Sequence, residues 1–137
     1  VVASYEIEFI GEGEVAGILR EALRTDSRVE SFEEFERGFK LRLVGAKRRI
    51  TIVCKGSVQS DDCLLIVNAR KMPENGGIAL NADKIAERCG SKPEIAMLGA
   101  IAKLGVVDLK RLMSVIYREM GYGDVLAVKK GFEATNI

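Results

Sequence analysis

The run Cys63-Leu64-Leu65-Ile66-Val67 contains no polar residue. A strand made of it has no face to give to water, so it must be covered on both sides. That predicts a central parallel strand with helices on either side. Asp61-Asp62 and Asn68-Ala69-Arg70 bound the run. The rest of the chain must therefore supply helices and further strands, and its periodicities do so.

Tyr5 to Ile10 alternates, with Tyr5, Ile7 and Phe9 on one face, and reads as a strand. From Gly13 to Arg24, the residues Val15, Ile18, Leu19, Ala22 and Leu23 share a helical face. Val29 to Phe35 reads as an edge strand, because Glu30, Glu33, Glu34 and Glu36 crowd it. Phe39–Leu43 and Arg49–Cys54, joined through Gly45-Ala46-Lys47, suggest an antiparallel hairpin. Ile78–Leu80 is a short strand, and Asn81 is placed to cap a helix ending at Cys89. Ser91-Lys92-Pro93-Glu94 fits a capping box before a helix from Ile95 to Leu104. That helix is apolar nearly all round, hence buried, and rich in small residues. Gly99 and Ala100 would let its own sheet or a partner's backbone come close. Asp108 caps a helix whose stripe is Leu109, Leu112, Met113, Ile116, Tyr117 and Met120. Gly121-Tyr122-Gly123 ends it, and Asp124 to Ile137 reads as a short mixed tail. Strands alternating with helices predict an α/β fold, a three-layer α/β/α sandwich with a mixed, largely parallel sheet.

The 137 residues make one domain, 1–137, able to bury about two-thirds of its unfolded surface. A formal net charge of +1 gives no electrostatic case for nucleic acid or an acidic membrane. No apolar run approaches the ~20 residues of a membrane span. No signal peptide is visible, so the expected compartment is the cytoplasm. With no histidine, Ser–His and Cys–His mechanisms and most zinc sites are excluded. Cys54, Cys63 and Cys89 form no C-x-x-C pair and read mainly as small buried hydrophobes. No catalytic residue and no metal ligand is assigned.

The candidate binding residues lie where strands end. Gly11-Glu12-Gly13 follows the first strand and opens a helix, the position of a phosphate-binding loop. The loop is short, however, and Glu12 and Glu14 would repel a phosphate while suiting a helix start. Arg37 beside Gly38 could pair with a carboxylate or phosphate, or simply sit on an edge. Asn68 ends the apolar strand, where it could contact a ligand or cap a turn.

Taken in order, several stretches resemble one family, the gamma subunit or domain of 2-oxoacid:ferredoxin oxidoreductases of the pyruvate, ketoisovalerate and indolepyruvate type. Ile7-Glu8-Phe9-Ile10-Gly11-Glu12-Gly13 is similar to its opening strand and the start of its G-x-G-G-Q-G-V loop. Glu36-Arg37-Gly38-Phe39 resembles E-x-R-G-G. Cys63-Leu64-Leu65-Ile66-Val67-Asn68 with Gly76-Gly77-Ile78 resembles its central strand and Gly-Gly turn. Met97-Leu98-Gly99-Ala100 resembles its M-L-G-A helix. Asp124 to Phe132 resembles N-x-x-A-x-x-x-G-[YF], with Asp124 in place of asparagine. The glycine loop departs from the family, as if two or three residues were deleted after Gly13.

The resemblance implies a complex that converts a 2-oxoacid and coenzyme A to acyl-CoA and carbon dioxide, reducing ferredoxin. Thiamine diphosphate and the iron–sulfur clusters would be held by other subunits, the expected partners, and no cofactor by this chain alone. This chain would shape the assembly rather than do chemistry. The alternative is a free-standing divergent paralogue acting as a binding or regulatory module without oxidoreductase activity, and the isolated chain could form a homo-oligomer.

Overall fold

A computed structural model describes residues 4–11, 14–56, 64–71 and 77–137. The elements run β1 (Tyr5–Ile10), α1 (Val15–Ala22), β2 (Val29–Phe35), β3 (Gly38–Leu43), β4 (Arg48–Val53), β5 (Leu64–Asn68), β6 (Ile78–Leu80), α2 (Ala82–Cys89), α3 (Pro93–Lys103), α4 (Leu109–Glu119) and α5 (Tyr122–Ala134). The class is α/β. The six strands form one mixed sheet in the order β2-β3-β1-β4-β5-β6. The β1–β4, β4–β5 and β5–β6 pairs are parallel, and β2–β3 and β1–β3 are antiparallel.

Register shows how the alternating strands make a core. Ile7 lies beside Leu41 and Ile50, and Phe9 beside Phe39 and Ile52. All six are buried on one face of the sheet. Phe39 stacks between Phe9 and Phe32, with ring centroids 5.0 and 5.3 Å away. The same register puts Glu6, Arg42 and Arg49 on the opposite face, where the Glu6 carboxylate forms ion pairs with Lys40, Arg42 and Arg49 at 3.4, 3.4 and 3.7 Å.

The helices touch one another in an unbroken set: α1 with α3 and α4, α3 with α2, α4 and α5, and α5 with α2 and α4. Helices separated by a sheet could not do this, so all of them gather on the apolar face. Every residue of α3 from Glu94 to Ala102 is buried, which explains why that helix is apolar all round. Among the described residues no helix packs on the Glu6 face. On that face charged side chains pair across the strands, while Thr51 and Val53 of β4 are buried.

Five local expectations are corrected. The Cys63–Val67 run is not the central strand. Cys63 lies outside the described residues, and β5 is fifth of six strands, with Ile66 fully buried but Leu64 exposed and Leu65 and Val67 half-buried. One-sided helix cover is the reason, since Leu65 and Val67 point away from the core. Ile66→Ala should therefore cost about 2–5 kcal/mol as a cavity, and Leu65→Ala distinctly less. Urea midpoints of the two variants check this, and equal losses would contradict the one-sided cover.

The hairpin is β2–β3, turned by Glu36-Arg37, and not β3–β4. β1 lies between β3 and β4. The four residues 44–47 stride over it, a distance of about two strand spacings that a chain of that length can span.

The capping box does not form. Lys92 is the N-cap of α3, with Pro93 in its first turn. Ser91 instead donates from Oγ to the Asp124 carboxylate. Asn81 and Asp108 do cap α2 and α4, accepting from the Lys84 and Arg111 amides at 3.2 and 3.1 Å.

The last helix, α5, replaces the expected tail. Its glycines are sites of close approach. A Cβ on Gly131 would run into the Ala96 carbonyl, one on Gly99 into the Val128 carbonyl and the Phe132 amide, and one on Gly123 into the Cys89 carbonyl. The small residues of α3 thus seat α5 of the same chain. The idea that Gly99 and Ala100 meet a partner's backbone is thereby overturned. The M-L-G-A stretch and the Asp124–Phe132 stretch are two sides of one helix crossing.

Candidate functional site

From β1 the chain leads through α1 to β2 at one edge of the sheet, and from β4 it leads to β5 and β6 at the other. The order reverses between the carboxyl ends of β1 and β4. Open α/β sheets take ligands at such a point. Gly11 leaves β1 there, Cys54 and Lys55 leave β4, and Glu94 comes up from the start of α3.

The point is tightly closed by the chain's own bonds. The Gly11 amide donates to the Arg37 carbonyl at 3.0 Å, and the Cys54 amide donates to the Ile10 carbonyl at 2.7 Å. A Cβ on Gly11 would lie 2.8 Å from the Cys54 Cβ. Glycine at 11 therefore serves close packing, and its amide is already committed.

Asn68 is a crosslink. Its Nδ2 donates to the Cys54 carbonyl at 3.2 Å and to Asp83 Oδ1 at 3.0 Å. Its Oδ1 accepts from the Ala82 and Asp83 amides at 2.9 and 3.2 Å. One amide side chain thus ties the end of β4, the end of β5 and the first turn of α2, and a ligand would have to displace these bonds. Asn68→Ala should lower stability by about 1–3 kcal/mol, since partly buried groups lose their partners. A denaturation midpoint unchanged by the substitution would contradict the crosslink.

Gly38 sits at φ +151°, a conformation that favours glycine, and a side chain there would strike the Phe9 carbonyl. Arg37 is exposed, and its carbonyl accepts from the Gly11 amide. Of the expected candidates, Gly11, Arg37 and Gly38 come together at the ends of β1 and β3. Asn68 stands on the far side of Cys54. Glu12 and Gly13 lie outside the described residues.

The residues whose importance here the sequence reading missed are Cys54, Lys55 and Glu94. Glu94 is only 4% exposed and lies 4.0 Å from the Lys55 ammonium. Burial pushes the Cys54 thiol up to about 12, and the neighbouring Glu94 and Asp83 carboxylates push in the same direction. A thiol held protonated is a poor nucleophile. Cys54 in the folded chain should therefore resist a maleimide or disulfide reagent at pH 8, and react at the normal rate once urea unfolds it. The raised folded value also means the protonated form favours the fold. This contribution is complete below the unfolded thiol's ordinary value and is lost as pH rises toward 12. Rapid labelling of Cys54 in the native chain would overturn this description. Position was the signal that could have found these residues, since Cys54-Lys55 directly follows the apolar strand Ile50–Val53.

Among the described residues, no group of three or more His, Cys, Asp or Glu side chains could hold a metal ion, and no helix is long and apolar enough to cross a membrane. The site offers a packed glycine, a muted thiol and a buried carboxylate facing a lysine. These are means of holding strand ends together.

The fold is that of a known class of subunit. The gamma subunit of a keto/oxoacid ferredoxin oxidoreductase from Geobacter sulfurreducens superposes with a TM-score of 0.70 at 19% identity, covering 95% of this chain and 97% of that one. The chain is also 99% identical, over all 137 residues of both, to an uncharacterized protein of Archaeoglobus fulgidus. No protein-family model matches the sequence.

Proposed function

We propose that the chain is the gamma-type subunit of a 2-oxoacid:ferredoxin oxidoreductase complex, one that oxidatively decarboxylates a 2-oxoacid to acyl-CoA in the cytoplasm. The observation that carries this reading is the extent of the shared fold: the chain and the gamma subunit match over 95% and 97% of their lengths. The ordered stretches read from the sequence support it independently. The chemistry of the strand ends supports a role in assembly. Among the described residues, the Cys54 thiol is kept protonated and the Gly11 amide is committed to the Arg37 carbonyl, which suits a chain that shapes an assembly. Thiamine diphosphate, coenzyme A and iron–sulfur clusters would be handled by partner subunits.

The acidic surface near Gly11 favours a second reading. A depression beside it is lined by Glu14, Glu34 and Glu36, which suits a divergent, free-standing paralogue acting as a binding or regulatory module. Tagging the chain in its own cells and identifying what co-purifies separates the two. Thiamine-diphosphate-binding and iron–sulfur subunits in stoichiometric amounts support the first reading. A chain that purifies without them supports the second.

A further inference from the structure

Gly17 stands apart from the other helix glycines. It lies within α1, where glycine is disfavoured relative to alanine, yet a Cβ there would meet nothing within 4 Å. Gly99, Gly123 and Gly131 each answer to a neighbouring backbone, and Gly17 answers to none among the described residues. It borders a depression of about 310 Å³ between the start of α1 and the β2–β3 turn, lined also by Glu14, Phe35 and Glu36. Phe35 is 53% exposed. It ends β2, a seven-residue strand at the edge of the sheet with an outward side that no strand pairs.

The charges select the kind of partner. Glu30 is paired with Arg42, and Glu34 with Arg20 at 3.6 Å. Glu14, Glu33 and Glu36 form no ion pair with a described residue, and Arg37 is the nearby cation in the turn. A second copy of β2, paired antiparallel about Phe32, would set Glu30 against Glu34 twice, which disfavours self-pairing.

We propose that this edge receives an extended segment of a different chain that carries an arginine or lysine. Its backbone adds to β2. Its basic side chain enters the depression between Glu14 and Glu36. The missing side chain at Gly17 provides the room. The surface is independent of which complex the chain joins.

Amide hydrogen exchange, comparing the isolated chain with the assembly purified from its own cells, tests this. Protection gained in the assembly at residues 14–18 and 29–36, above that elsewhere, is the expected result. Gly17→Leu and the pair Glu14→Lys with Glu36→Lys should each cut partner recovery at least tenfold, with the melting temperature of the isolated chain unchanged. Three results would each overturn the proposal: protection confined to other surfaces, variants that recover partner normally, or a chain that purifies alone. An assembly with unrelated chains that shields β2 would sustain this proposal while ending the oxidoreductase reading. Oxidoreductase subunits that shield another surface would do the opposite.

Discussion

Gly131→Leu should leave little folded protein at growth temperature, and Gly131→Ala should already destabilise the chain by at least the ~1–3 kcal/mol typical of overpacking. The Ala96 carbonyl occupies the space a Cβ would need. Relief would require α5 to move off α3, and α3 cannot yield because it is buried along its whole length from Glu94 to Ala102. Gly99→Leu should behave alike, since the α5 backbone lies against it from the other side. Thermal unfolding of the isolated chain is the measurement. If the monomer kept its melting temperature while losing a partner, the crossing would have to be an interface between chains.

Phe39→Ala is expected to be the most damaging substitution in the sheet, at about 3–5 kcal/mol. Its ring is fully buried between Phe9 and Phe32, and it links the antiparallel β2–β3 hairpin to β1. Losing it opens a cavity and leaves two rings without a stacking partner. Phe32→Ala, at the half-buried end of the stack, should cost less. Equal urea midpoints for the two variants would contradict this ordering.

Where one physical rule dominated, the fold was legible in the sequence. β1 and β3 alternate because one face is core and the other is an ion-pair surface. α1 shows its stripe, and Asn81 and Asp108 are side-chain caps. The errors arose where local pattern and tertiary packing disagree. Leu64-Leu65-Ile66-Val67 looks buried on both faces because its residues are all apolar, yet only Ile66 is enclosed. Four residues after Leu43 can make a tight turn or step over a strand, and periodicity does not distinguish the two. Gly123 reads as part of a helix stop and Gly131 as part of a mixed tail, although both are glycines because other backbones lie against them. Glu94 fitted a capping box by spacing, whereas burial beside Cys54 and Lys55 gave it another place.

The candidate site was only partly legible for the same reason. Gly11, Gly38 and Asn68 stand out in the sequence, but the pattern could not say that each serves the chain's own packing. Gly11 fits against Cys54, Gly38 against the Phe9 carbonyl, and Asn68 holds three strand and helix ends at once. A glycine needed for close approach looks the same in sequence whether a ligand or a neighbouring strand does the approaching.

The central claim is that this chain completes an oxidoreductase assembly without chemistry of its own. Coenzyme A-dependent reduction of ferredoxin by a 2-oxoacid, measured on the assembly stripped of this chain and again after adding it back, tests that claim most directly. The account predicts no turnover by the isolated chain, a depressed rate for the stripped assembly, and recovery on addition of either the wild-type chain or Cys54→Ser. A stripped assembly that works at full rate, or a recovery that requires the Cys54 thiol, would contradict it.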